Sequence, residues 1–108
     1  MTAASQQGVL QQIKRIVLEQ EPSAKVYLYG SRARGDARGK DSDWDILILL
    51  NKDKITLDEE RKITYPLYDL EFDIGEVISL MVLSEKDWNY RHKVTPFYQN
   101  VMREGVLL

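Results

Sequence analysis

GSRARGDARGKDSDWD, residues 30–45, leads directly into the apolar run Ile46-Leu47-Ile48-Leu49-Leu50, and this join decides how the chain folds. Both alternating faces of the run are hydrophobic, the pattern of a central strand covered on two sides. Asp43 and Asp45 stand at its mouth two residues apart, so on a strand their side chains point to the same side. That places the two acids about 6–7 Å apart along the strand. Like charges so close repel unless a cation sits between them, and hard oxygen ligands of this kind suit Mg²⁺ held together with substrate phosphates. Upstream, Gly30-Ser31 follows the apolar run Val26-Tyr27-Leu28-Tyr29, where a buried strand has to turn and expose backbone N–H groups. Such a turn is a place for an anion. The two features together point to a metal-bound nucleoside triphosphate.

Each part has an ordinary alternative. A Gly-Ser pair at a strand end is usually only a turn, and an Asp-x-Asp is often a solvated edge or an Asx turn. Their conjunction at the end of the best-buried strand carries the reading. Residues 30–45 hold four basic and four acidic side chains. Arg32 and Arg34 are therefore candidates either for phosphate contact or for simple pairing in solvent.

The chain has 108 residues, 44% of them hydrophobic, enough for one domain spanning 1–108 with a single core. A net charge of −2, from 15 basic and 17 acidic residues, gives no general pull toward DNA or RNA. Nucleic acid is therefore not expected as a direct partner, and a polymerase is disfavoured. There is no cysteine, no N-terminal apolar segment and no apolar run of membrane-spanning length, which together suggest a cytoplasmic protein.

Outside the join, Val9, Leu10, Ile13, Ile16 and Val17 form the stripe of an amphipathic helix over 5–20 that stops before Pro22. Strands are expected at Lys25–Tyr29 and Asp43–Leu50, with a short helix within Ser31–Arg38 whose first turn faces the anion. Thr56-Leu57-Asp58-Glu59 reads as a capping box, opening a helix with Ile63, Leu67, Leu70 and Ile74 on one face. Pro66 should kink or divide that helix, and Gly75 should end it. Val77–Leu83 has the character of a third strand. Ser84-Glu85-Lys86-Asp87 reads as a second box before a short helix through Trp88. Thr95-Pro96 starts a last helix, with Phe97, Val101 and Met102 on one side and Gly105 as its stop. The fold class is thus α/β (α+β), a small mixed sheet flanked by helices. Trp88, Tyr90, Tyr98 and His92 could suggest a base-stacking box, but aromatic residues at helical spacing usually fill a core, and a histidine at a helix boundary is usually a surface or capping group. Trp44, between the aspartates, must face away from them.

The pattern hydrophobic–G-S–x(n)–D-h-D–hydrophobic, here in GSRARG and SDWDILIL, resembles the nucleotidyltransferase superfamily typified by DNA polymerase beta, in particular its minimal nucleotidyltransferase (MNT) branch. The resemblance extends over essentially the whole chain. It implies a nucleotidyltransferase-like palm, with one helix before the Gly-Ser strand and helix-strand-helix after the Asp-x-Asp strand. Eleven residues separate Ser31 from Asp43, one more than in the most typical minimal members, an insertion near Gly39 or Lys40.

By the same resemblance, Gly30 and Ser31 would hold the β- and γ-phosphates, Asp43 and Asp45 would bind metal, and a third acid on the neighbouring strand would complete a site for two Mg²⁺ ions. In Val77-Ile78-Ser79-Leu80-Met81 the position of that acid reads Ser79, a neutral hydroxyl. Glu76 is the first alternative donor and Asp73 the second. The activity implied is Mg²⁺-dependent transfer of AMP from ATP to a hydroxyl on a partner protein, with the chain as antitoxin to a HEPN-type RNase toxin. The alternative is a catalytically degenerate module that binds nucleotide or occludes its partner. A chain this short would borrow its acceptor surface from the partner, from a second copy or from the acceptor, and it lacks the acceptor domain that transfer to an aminoglycoside would require.

Overall fold

The computed structural model describes residues 6–35, 42–90 and 93–108. Its elements run α1 (Gln6–Gln20), β1 (Lys25–Tyr29), α2 (Ser31–Arg34), β2 (Trp44–Leu50), α3 (Leu57–Ile74), β3 (Ile78–Ser84), α4 (Glu85–Tyr90), α5 (Pro96–Glu104) and β4 (Val106–Leu107). The sheet order is β3-β2-β1-β4. β1 pairs with β2 antiparallel, β2 with β3 parallel, and β1 with β4 antiparallel. The parallel pair is joined through α3, the crossover that parallel neighbours require.

The alternation read in β2 is what layers the molecule. Trp44, Ile46, Ile48 and Leu50 pack on one face with Val9, Ile13 and Val17 of α1 and Ile63, Leu67 and Leu70 of α3. Leu47 and Leu49 point to the other face, against Trp88 of α4 and Val101 of α5. Each such aliphatic side chain contributes about 1.5–3 kcal/mol by leaving water. Asp45 shares the parity of Leu47 and Leu49 and so points to the face that carries α4 and α5.

Local signals account for the element ends. Thr56 and Glu59 form the reciprocal capping box, and Gly75 closes α3 at φ 68, a left-handed position suited to glycine. Thr95 caps α5 by accepting from the Tyr98 amide, with Pro96 in the first turn. Ser84 Oγ accepts from the Asp87 amide at 3.4 Å and donates to the Lys52 carbonyl at 2.6 Å.

Three expectations need correction. Of the kink or division expected at Pro66, the division does not occur: α3 runs from Leu57 to Ile74 with the proline inside it. Proline costs a helix interior about 3 kcal/mol, and the buried residues Ile63, Leu67 and Leu70 on either side of it supply the opposing packing. The third strand is displaced by one residue, so that Val77 lies outside it and Ser84 inside. Finally, β2 begins at Trp44, so Asp43 lies just before the strand and not in it. Gly105 ends α5 as expected, and beyond it the chain adds β4 to the edge of β1, with the Leu108 amide donating to the Val26 carbonyl.

Trp88 and Tyr98 pack as core aromatics with ring centroids 4.8 Å apart, whereas Tyr90 is 84% exposed. His92, Gly39, Lys40 and the segment 36–38 of the expected short helix lie outside the described residues.

Candidate functional site

The topology gathers the chemistry at one end of the sheet. β1 finishes at Tyr29, while β2 runs back antiparallel from Trp44 and β3 starts alongside β2. Gly30, Asp43, Asp45, Glu76 and Ser79 are therefore all at this end. Asp45 is in register with Tyr29 on one side and with Ser79 on the other.

Gly30 adopts φ 76 and ψ −157, a region open essentially only to glycine. A Cβ at this position would also collide with the Asp45 carboxylate. Glycine is thus required twice, by the backbone and by the close approach of the acid. Next to it, α2 is a single turn in which the Ala33 and Arg34 amides donate back to the Gly30 carbonyl at 3.1 and 3.0 Å. Those two amides are spent inside the turn, so the backbone of Gly30 and the half-buried Ser31 are the parts of it that can meet an anion.

Asp43 is exposed and Asp45 half-buried. Burial raises the Asp45 carboxyl above the usual carboxylate range, Asp43 raises it further, and Arg34 partly offsets both. The Tyr29 phenol is likewise pushed up, first by burial and then by Asp45. A cation between Asp43 and Asp45 would relieve this repulsion, and the donor set is all oxygen, so these residues fit a hard divalent ion such as Mg²⁺. The Ser79 hydroxyl donates to Asp43 Oδ2 at 3.2 Å. Among the described residues no three His, Cys, Asp or Glu side chains form a metal-binding cluster. A second ion would therefore have only a neutral oxygen on β3 beside the pair.

Arg32 and Glu76 are placed differently from expectation. Arg32 is 8% exposed and donates through Nε and Nη2 to the Ser42 carbonyl at 3.1 and 2.9 Å, and through Nη2 to Glu76 Oε1 at 2.9 Å. Its guanidinium also stacks over the Trp44 ring, 3.9 Å from the centroid. Rather than reaching out to a phosphate, Arg32 ties α2 to the residue preceding Asp43. Glu76 is directed at Arg32 and not at the aspartates, and Asp73 is exposed near the end of α3. Arg34 pairs with Glu104 of α5 at 3.2 Å and lies within electrostatic reach of Asp45.

Sequence reasoning missed the Arg32–Ser42 clamp, for which no pattern of spacing gives a signal. The one available hint was Trp44, a flat ring forced by strand parity under the flanking elements, where a cation can stack.

A family model, the nucleotidyltransferase domain, matches residues 10–102. A solved structure assigned to a minimal nucleotidyltransferase superposes with a TM-score of 0.61 at 24% identity, covering 100% of this chain and 97% of that one. A mutant form of the toxin–antitoxin complex MntA–HpeT also superposes with a TM-score of 0.61, at 21% identity over 92% of this chain and 70% of that one. No curated protein matches the chain. With the match spanning most of the sequence, from within α1 to within α5, the chain belongs to the nucleotidyltransferase domain family.

Proposed function

We propose that the protein transfers AMP from Mg²⁺-bound ATP to a hydroxyl on a partner protein, and that the partner is a HEPN-type toxin which the transfer neutralises. The observation that carries this reading is the approach of Asp45 to the bare Cα of Gly30, with Asp43 joined to the same end through the Ser79 hydroxyl, which is in register with Asp45. The likeness to the toxin–antitoxin complex supports the choice of partner class.

In this reading the Gly30-Ser31 turn holds the distal phosphates, and Asp43 and Asp45 hold Mg²⁺. When bound, the ion neutralises charge developing on the leaving pyrophosphate. Asp43, the more exposed carboxylate, is suited to accept the proton of the attacking hydroxyl. Glu76 acts at one remove, by holding Arg32 and through it the Ser42–Asp43 segment.

The test is to incubate the protein with the product of the neighbouring gene, Mg²⁺ and ATP labelled in the α-phosphate; a neighbour of HEPN type is expected. Label should move to the toxin, and Asp43→Asn or Asp45→Asn should reduce transfer by about 100-fold or more. Undiminished labelling in both variants overturns the assignment. One observation favours a second reading, in which the chain neutralises its partner by occlusion: the β3 position expected to carry a third acid offers only the Ser79 hydroxyl. Tight association of the two proteins without any label would select that reading.

A further inference from the structure

On β3 the sheet holds a hydroxyl directly against the carboxylate pair. Ser79 is in register with Asp45, so the two side chains share a face, and its Oγ donates to Asp43 Oδ2 at 3.2 Å. This is within the reach at which a carboxylate can take a hydroxyl proton as general base. Of the other serines, Ser31 sits across β2 at the end of β1. Ser84, at the far end of β3, is 5% exposed and gives its proton to the Lys52 carbonyl. Ser79 is half-buried, and its hydrogen bond to Asp43 lies on the exposed side of the site.

A serine oxygen coupled to a base is the arrangement of an activated nucleophile. We propose that Ser79 is itself a nucleotidyl acceptor, and that the protein modifies this residue once, using a nucleoside triphosphate. The proposal rests on the reading of the Gly30, Asp43 and Asp45 end as a Mg²⁺-triphosphate site. Ser79 Oγ forms a bond to the α-phosphorus, and the bond from that phosphorus to the α–β bridging oxygen breaks. The electron pair leaves with pyrophosphate. The hydroxyl proton passes to Asp43 and then to solvent, so the step needs no further reactant. The product is a phosphodiester on Ser79, an anion facing Asp43 and Asp45.

The experiment uses the full chain with Mg²⁺ and, separately, each of the four ribonucleoside triphosphates, read by intact mass and by fragmentation. The expected result is a gain of one nucleoside monophosphate per chain, located on Ser79, with one pyrophosphate released. The adduct should be lost in Ser79→Ala, with the thermal transition showing that this variant is folded, and retained in Ser79→Thr, which keeps a hydroxyl. An adduct that persists in Ser79→Ala overturns the proposal. So does an unmodified Ser79 in a protein that binds Mg²⁺-triphosphate by calorimetry, a result that leaves the proposed function standing. If no triphosphate binds at all, both readings fall.

Discussion

Arg32 and Glu76, 44 residues apart in the chain, form an ion pair at 2.9 Å whose side chains are only 8% and 16% exposed. Through the Ser42 carbonyl the same guanidinium fixes the chain just before Asp43. Removing one member of a buried pair leaves the other uncompensated, so Arg32→Met should destabilise the fold by about 3 kcal/mol. Glu76→Gln keeps an acceptor for Arg32 and should cost less. Urea unfolding of both variants measures this. A Glu76→Gln protein of unchanged stability that loses all transfer to the partner would mean that Glu76 acts on the reacting atoms themselves.

The strands were legible because their information is local. The Val26–Tyr29 and Ile46–Leu50 runs identify β1 and β2. Parity predicts one face for Asp43 and Asp45, and although Asp43 precedes the strand, the Ser79 hydroxyl reaches it from the register position of Asp45. The Thr56 and Thr95 caps were equally plain, since a cap needs only residues within one turn. The rest depends on distant parts of the chain. β4 is two residues long and exists through its pairing with β1. Pro66 reads locally as a break, yet the buried side chains around it hold α3 in one piece. Arg32 could be read as a phosphate ligand because its sequence neighbours do not reveal Trp44 beneath it or Glu76 beside it.

Asp45 gives a pH signature. Its folded pKa is raised above 3.8, chiefly by burial, so the native state holds the proton more tightly than the unfolded chain. The associated stability is fully present below the unfolded value and is lost as pH rises through the folded one. Asp45→Asn, which cannot ionise, should match the parent at pH below 3.8 and exceed it increasingly in Tm as the pH rises through the folded value, measured without Mg²⁺. Thermal melts from acid to neutral pH check this, and an Asn variant that is less stable at pH 7 contradicts it.

Gly30→Ala combines backbone strain at φ 76 with a clash against Asp45. The strain alone costs about 1–3 kcal/mol, and displacement of the carboxylate should abolish triphosphate binding. Denaturation and calorimetry on the same sample separate the two effects. Binding of parent strength in a folded Gly30→Ala protein would exclude this turn from the site.

Ser79→Asp places a third carboxylate next to Asp43 and across from Asp45. Three acids in contact repel, so the variant should be less stable than the parent in chelator and should recover with millimolar Mg²⁺. Transfer to the partner should rise by about tenfold or more, since a second ion gains a charged ligand. An unchanged rate would mean that the neutral hydroxyl does not limit the chemistry.

The central claim is that Gly30, Asp43 and Asp45 form one site for a Mg²⁺-bound triphosphate. Isothermal calorimetry with ATP, with and without Mg²⁺, on the parent, Asp45→Asn and Glu76→Gln tests it most directly. The account expects binding that requires Mg²⁺, weakens by about 100-fold or more in Asp45→Asn and persists in Glu76→Gln. Binding that is indifferent to Mg²⁺, or equally strong in Asp45→Asn, contradicts it.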